Sequence, residues 1–191
     1  MDNEVKEILD RSIALNREGR LREREELMRG AIRKYPFSPD ILLQAGATFL
    51  LSAPEGTAAL AHRAVGISPD DPAVLFRAAH LLFAAQEFDA SREYLARLEP
   101  LMTPEFPLLI DAIHLAGRHA LQRGDVAEAE KALTTAFERD PETLGHGEIL
   151  ANLYEDQGRT KDALEVVRRA RAYRPDDARL AEMERALAGD S

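Results

Sequence analysis

Five histidines, His62, His80, His114, His119 and His146, are the side chains of this chain best suited to metal ligation or proton transfer. Two such ligands share one face of a helix when they stand three or four positions apart. No pair here does, and His114 and His119, five apart, diverge. Neither a metal nor a cofactor is therefore expected. No serine lies in a motif that would activate it, and no glycine-rich loop is built to cradle a phosphate. Cysteine is absent, which removes thiol catalysis and disulfides. His146-Gly147-Glu148 sets an imidazole close to a carboxylate. Glycine, however, costs a helix about 1 kcal/mol relative to alanine. With Gly145 and Gly147 in its first turn, the helix carrying this segment is expected to begin late, near Glu148. The protein is not expected to be an enzyme.

Charge narrows the choice of partner. The net charge is −9, and only Lys6, Lys34, Lys131 and Lys161 among the 25 basic residues are lysine. Residues 1–38 carry nine bases and eight acids, whereas residues 142–191 carry eight and eleven. A polyanion is held by a basic stripe, so nucleic acid is not an expected partner. The densest charged run, Arg20 to Arg29, mixes signs at helical spacing and reads as a solvated face. The start of the chain, Met1 to Asp10, is acidic rather than basic and then apolar, and no apolar run is long enough to span a bilayer. A cytoplasmic protein is the expectation, and its arginine and alanine richness points to a GC-rich bacterial genome.

The elements that would position these side chains recur. Gly117, Gly124, Ala129, Ala136 and Pro141 are followed at the same spacing, 34 residues on, by Ala151, Gly158, Ala163, Ala170 and Pro175. Fainter copies run backward through Ser12, Gly19, Ala31 and Pro36; through Gly46, Ala64 and Pro69; and through Ala79, Phe88 and Ser91. Two helices cross closely only where side chains are small, which explains Gly46, Ala79, Gly117 and Ala151 facing Ala31, Ala64, Ala136 and Ala170. Gly19, Gly124 and Gly158 suit the left-handed residue that ends a helix. Ser38, Asp71, Thr103 and Asp140 each precede a proline, the pairing of an N-cap with the first helical position. Apolar residues between these marks keep helical spacing, and no stretch alternates long enough to argue a strand.

This pattern resembles the tetratricopeptide repeat. The resemblance implies an all-α, right-handed superhelical solenoid of about five helix–turn–helix units plus a C-terminal capping helix. The units are expected at about 5–38, 39–71, 72–105, 110–143 and 144–175, with the cap near 176–188, so that residues 1–191 form a single array. The family's tryptophan is missing; Ile8, Leu42, Leu75, Ile113 and Gly147 stand in its place. Pro100, Pro104 and Pro107 add about four residues between the third and fourth units and should end the preceding helix near Glu99. Arg11 and Arg24 stand in the first unit where apolar or small residues are usual. That unit is either a polar cap or a surface that packs on another chain through Ile8, Leu9 and Ile13.

In proteins of this type the first helix of each unit lines a concave groove. Carried onto this chain, the groove positions are Leu9 and Ile13; Leu43, Gln44 and Ala47; Phe76, Arg77 and His80; His114 and Arg118; and Glu148 and Asn152. Arg77, His80, His114 and Arg118 are expected to converge beside Phe76, a locally basic surface suited to carboxylates. The competing reading is that Arg77 and Arg118 pair with neighbouring acids such as Asp111. The carboxylate clamp of chaperone-binding relatives is not reproduced, since Leu9, Ile13, Gln44, Ala73 and Arg77 occupy its positions and only Arg77 matches. The resemblance implies a scaffold that binds a protein or acidic peptide as a monomer or weak homodimer. The alternative is a self-associating module without a separate ligand.

Overall fold

The computed structural model describes residues 2–189, and every regular element within them is helical. In chain order the α-helices are α1 (Asn3–Arg17), α2 (Leu21–Lys34), α3 (Pro39–Phe49), α4 (Pro54–Ile67), α5 (Pro72–Ala84), α6 (Phe88–Leu98), α7 (Leu109–Arg123), α8 (Val126–Arg139), α9 (Leu144–Asp156), α10 (Thr160–Tyr173) and α11 (Ala178–Gly189). Each odd-numbered helix up to α9 packs on the helix after it, and α11 packs on α10. The hairpins fall into two compact units, the first ending at Pro104 and the second beginning at Glu105.

In the first unit, capping chemistry starts the helices. Ser38 Oγ accepts the Ile41 N–H, and Asp71 Oδ1 accepts those of Ala73 and Val74, with Pro39 and Pro72 filling the next position. One buried cluster joins Val5, Met28, Ala31, Ile41, Ala45 and Phe49. At the α3–α4 crossing, Thr57 Oγ1 donates to the Gly46 carbonyl at 3.0 Å, and at α5–α6 Ser91 Oγ donates to that of Ala79 at 2.7 Å. A small residue on the first helix thus admits a hydroxyl from the second. Arg63 and Arg97 then pin the preceding loops by donating to the carbonyls of Pro36 and Pro69.

The turn after the first helix repeats as well. Gly19, Gly124 and Gly158 are left-handed, with φ of 70°, 76° and 72°, as their spacing predicts. In the third hairpin the same position is Gln86, left-handed at φ 66°. Helix α6 ends at Leu98 and tightens into a 3-10 turn over Glu99–Leu101, as the proline cluster requires.

Three sequence expectations fail in the second unit, each for a local reason. Thr103-Pro104 does not open α7, which begins at Leu109. A helix begun at Pro104 would need the amide of residue 107 for its first internal hydrogen bond, and Pro107 has none. Asp140 is not the N-cap of α9. Its own N–H closes α8 on Ala136, and its carboxylate accepts from the Thr143 N–H and hydroxyl, so it shapes the turn before Leu144. Nor does α9 wait until Glu148; it starts at Leu144 and includes both glycines. A Cβ on Gly147 would lie 3.1 Å from Phe137 Cε2 and 3.2 Å from Ala170 Cβ. Close packing against those neighbours explains why glycine is tolerated there. The core around it joins Leu133, Phe137, Leu150, Val167, Leu180 and Leu187.

Candidate interaction site

In the first unit the groove positions separate into a support and a face. Leu43 and Phe76 are buried, Phe76 retaining 7% exposure, so they lie beneath the surface rather than on it. Gln44 and Arg77 are half-buried above them, and Ala47 and His80 are exposed. The rings of Phe76 and His80 stack with centroids 6.1 Å apart, orienting the imidazole. Arg77 Nη1 donates to Asp40 Oδ1 at 2.6 Å, so the acid that engages it is Asp40 on α3. Gln44 Nε2 donates to Ser12 Oγ at 3.0 Å, tying α3 to α1. Leu9 is half-buried, while Ile13 stays 43% exposed.

Arg24 stands out of place by sequence, and the structure gives it partners. Its Nε donates to Ser12 Oγ at 3.2 Å and its Nη1 to Asn16 Oδ1 at 2.8 Å. Arg11 lies 3.8 Å from Glu18 at the surface.

In the second unit, His114 and Arg118 are half-buried on α7, and burial draws the Arg118 guanidinium below the usual arginine value. The His114 ring meets the His146 ring edge-on at 4.6 Å. His146 is buried; its Nδ1 donates to the Asp140 carbonyl at 3.1 Å and its Nε2 lies 3.8 Å from Asp111 Oδ1. Hydrogen bonding to Thr143 holds the Asp140 carboxyl below its ordinary range. On α9, Asn152 is exposed, whereas Glu148 is buried with Oε1 2.8 Å from Arg179 Nε on α11. Sequence reading missed this pair, since no spacing rule links Glu148 to a helix two elements later. In the first unit, half-buried Gln44 and Arg77 and exposed His80 set amide, guanidinium and imidazole groups above an apolar floor, groups of the kind used in recognition.

Residues 120–187 match the tetratricopeptide repeat family. No curated protein matches the chain. Among solved structures, TTC0263, a thermophilic tetratricopeptide-repeat protein of Thermus thermophilus, is similar with a TM-score of 0.80 at 19% identity, covering 96% of this chain and 98% of that one. PilW, a type IV pilus biogenesis factor, is similar with a TM-score of 0.79 at 15% identity, covering 100% and 91%. PilF of Pseudomonas aeruginosa follows with 0.74 at 14%, covering 97% and 83%. At these identities the likeness establishes the fold. The tetratricopeptide-repeat match falls on the last hairpins, residues 120–187, and helix pairs of the same kind of fold precede them. Such repeats are protein-interaction modules, and no helix among the described residues is long and apolar enough to cross a membrane.

Proposed function

We propose that this protein is a non-enzymatic scaffold that holds an acidic peptide segment of a protein partner against its first-helix faces. The reading takes Gln44, Ala47, Arg77 and His80 over the floor of Leu43 and Phe76 in the first unit, and His114, Arg118 and Asn152 in the second. One observation carries it. Polar donors on α3 and α5 stand on a buried apolar layer whose side chains are already packed, a surface ordered before any partner arrives. The repeat register resumes beyond the 99–107 insertion, so each unit carries first-helix positions of the same kind. The reading places the protein in the bacterial cytoplasm by default, since a chain without cysteine forms no disulfide that would speak for export.

Capture from a lysate tests this with Ala47→Trp, which adds bulk to an exposed position without entering the core. Loss of the captured partner with an unchanged melting temperature is expected. Equal capture by parent and variant would remove this face from consideration. Sedimentation at two concentrations addresses the alternative of self-association: a tight dimer that Ala47→Trp dissociates would favour it.

A further inference from the structure

We propose that Arg24, assisted by the Gln44 amide, receives a carboxylate of the bound acidic peptide. The proposal deepens the scaffold reading and rests on it. Arg77 is the obvious carboxylate receptor, but Asp40 already engages it at 2.6 Å. In the first hairpin four acids are engaged in the same way. Glu18 and Glu23 meet Arg20, Glu25 meets Arg29 and Glu4 meets Lys34. Lys6, Arg17, Arg22 and Arg33 have no ion pair either, but they are exposed; Arg24, half-buried on α2, touches only the neutral acceptors Ser12 and Asn16, and no carboxylate among the described residues pairs with it.

Burial lowers the pKa of Arg24 below the usual arginine value. A guanidinium stays protonated in proteins regardless, so the site holds a partly desolvated charge without a counterion. Its fork has five N–H donors, and the two internal hydrogen bonds occupy only two of its nitrogens. The Ser12 hydroxyl that accepts from Nε also accepts from Gln44 Nε2, which brings a second donor group from α3 to the same point. A planar acceptor with two oxygens fits a guanidinium edge, which is the geometry of a carboxylate. The surrounding charge favours it too, because residues 1–38 hold nine bases against eight acids in a chain of net charge −9. An acidic segment meets less repulsion here than over the acidic C-terminal residues.

Fluorescence anisotropy on the full chain tests the assignment. The probes are a labelled, C-terminally amidated peptide of alternating glutamate and leucine, its glutamine counterpart, and that counterpart with a free C-terminus. The amidated glutamate peptide is expected to bind more tightly than the amidated glutamine one. Arg24→Gln should weaken the glutamate peptide about tenfold, leave the glutamine peptide unchanged and flatten the salt dependence. Tight binding of the free-C-terminus probe alone would make the chain end, not a side chain, the source of the carboxylate. Arg24→Lys keeps the charge, loses the fork and should fall between. In the unaltered protein, the Arg24 Nε–H resonance should move as glutamate peptide is added, a readout independent of the variants' folding.

Equal affinity of parent and Arg24→Gln for the glutamate peptide would overturn the proposal, as would a stationary Nε–H resonance at saturation. If both amidated peptides bind the parent alike and Ala47→Trp blocks both, the interaction face stands and the role of Arg24 falls. If no peptide binds, Arg24 is not a carboxylate receptor, and the scaffold reading is judged by lysate capture alone.

Discussion

Arg77 Nη1 on α5 stands 2.6 Å from Asp40 Oδ1 on α3, joining the first helices of consecutive hairpins. Both side chains remain partly exposed, at 33% and 40%, so water and salt screen the pair. An exposed ion pair contributes at most about 1 kcal/mol. Asp40→Asn should therefore lower stability by less than about 1 kcal/mol in urea unfolding, and salt should erase the difference. It should also release Arg77 and tighten acidic-peptide binding. A loss above about 2 kcal/mol would make the pair structural. Unaltered peptide affinity would remove Arg77 from the binding face.

Gly117 on α7 and Gly30 on α2 give opposite expectations for the same substitution. A Cβ at Gly117 would sit 2.9 Å from Leu133 Cγ and 3.2 Å from Ala132 Cβ, whereas one at Gly30 meets nothing within 4 Å. Alanine gains about 1 kcal/mol of helix propensity at either site. At Gly117 that gain is offset by overpacking of about 1–3 kcal/mol. Thermal unfolding should show Gly30→Ala stabilised and Gly117→Ala destabilised by about 1 kcal/mol. Stabilisation at both would mean that α7 and α8 can separate at little cost.

Gln86 carries the left-handed turn that glycine carries in three other hairpins. A non-glycine residue in that region costs roughly 1–2 kcal/mol. Replacing it by glycine adds backbone entropy to the unfolded chain, which returns about half of that gain. Gln86→Gly should thus stabilise by about 0.5–1 kcal/mol. A destabilised variant would show that the Gln86 side chain makes a contact worth more than the strain.

The fold was legible because its constraints are local and repeat. Small residues at crossings and left-handed glycines each have one physical solution, the Ser38-Pro39 and Asp71-Pro72 caps start their helices, and Ala31, Ala64, Ala136 and Ala170 are all buried where spacing put them. The misreadings arose where a position answers to two neighbours. Pro104 reads as a helix start until Pro107 removes the amide that start would use. Gly147 reads as a helix breaker until Phe137 and Ala170 are seen against it. The candidate site was less legible, since groove offsets locate Cα positions but not partners. Nothing in sequence says that Phe76 lies beneath the face, that Arg77 reaches Asp40, or that Arg179 covers Glu148.

Helix α11 is held to α10 by buried Leu180 and Leu187 and by one acid gripped between two arginines. Glu184 Oε1 lies 2.9 Å from Arg168 Nε, and Oε2 lies 2.7 Å from Arg171 Nη1. Hydrogen bonding to Arg171, then to Arg168, holds this carboxyl below its ordinary value of 4.5. A carboxyl whose pKa is depressed on folding stabilises the folded state fully above the unfolded value. That contribution fades as pH falls through the lower folded value. Hydrogen exchange of the α11 amides should therefore show protection declining below pH 4.5 in the parent. Glu184→Gln should begin with weaker protection at neutral pH and decline less, so that the two curves converge in acid. Curves that stay parallel across this range would mean that the arginine grip adds nothing to α11 docking, leaving Leu180 and Leu187 as its anchors.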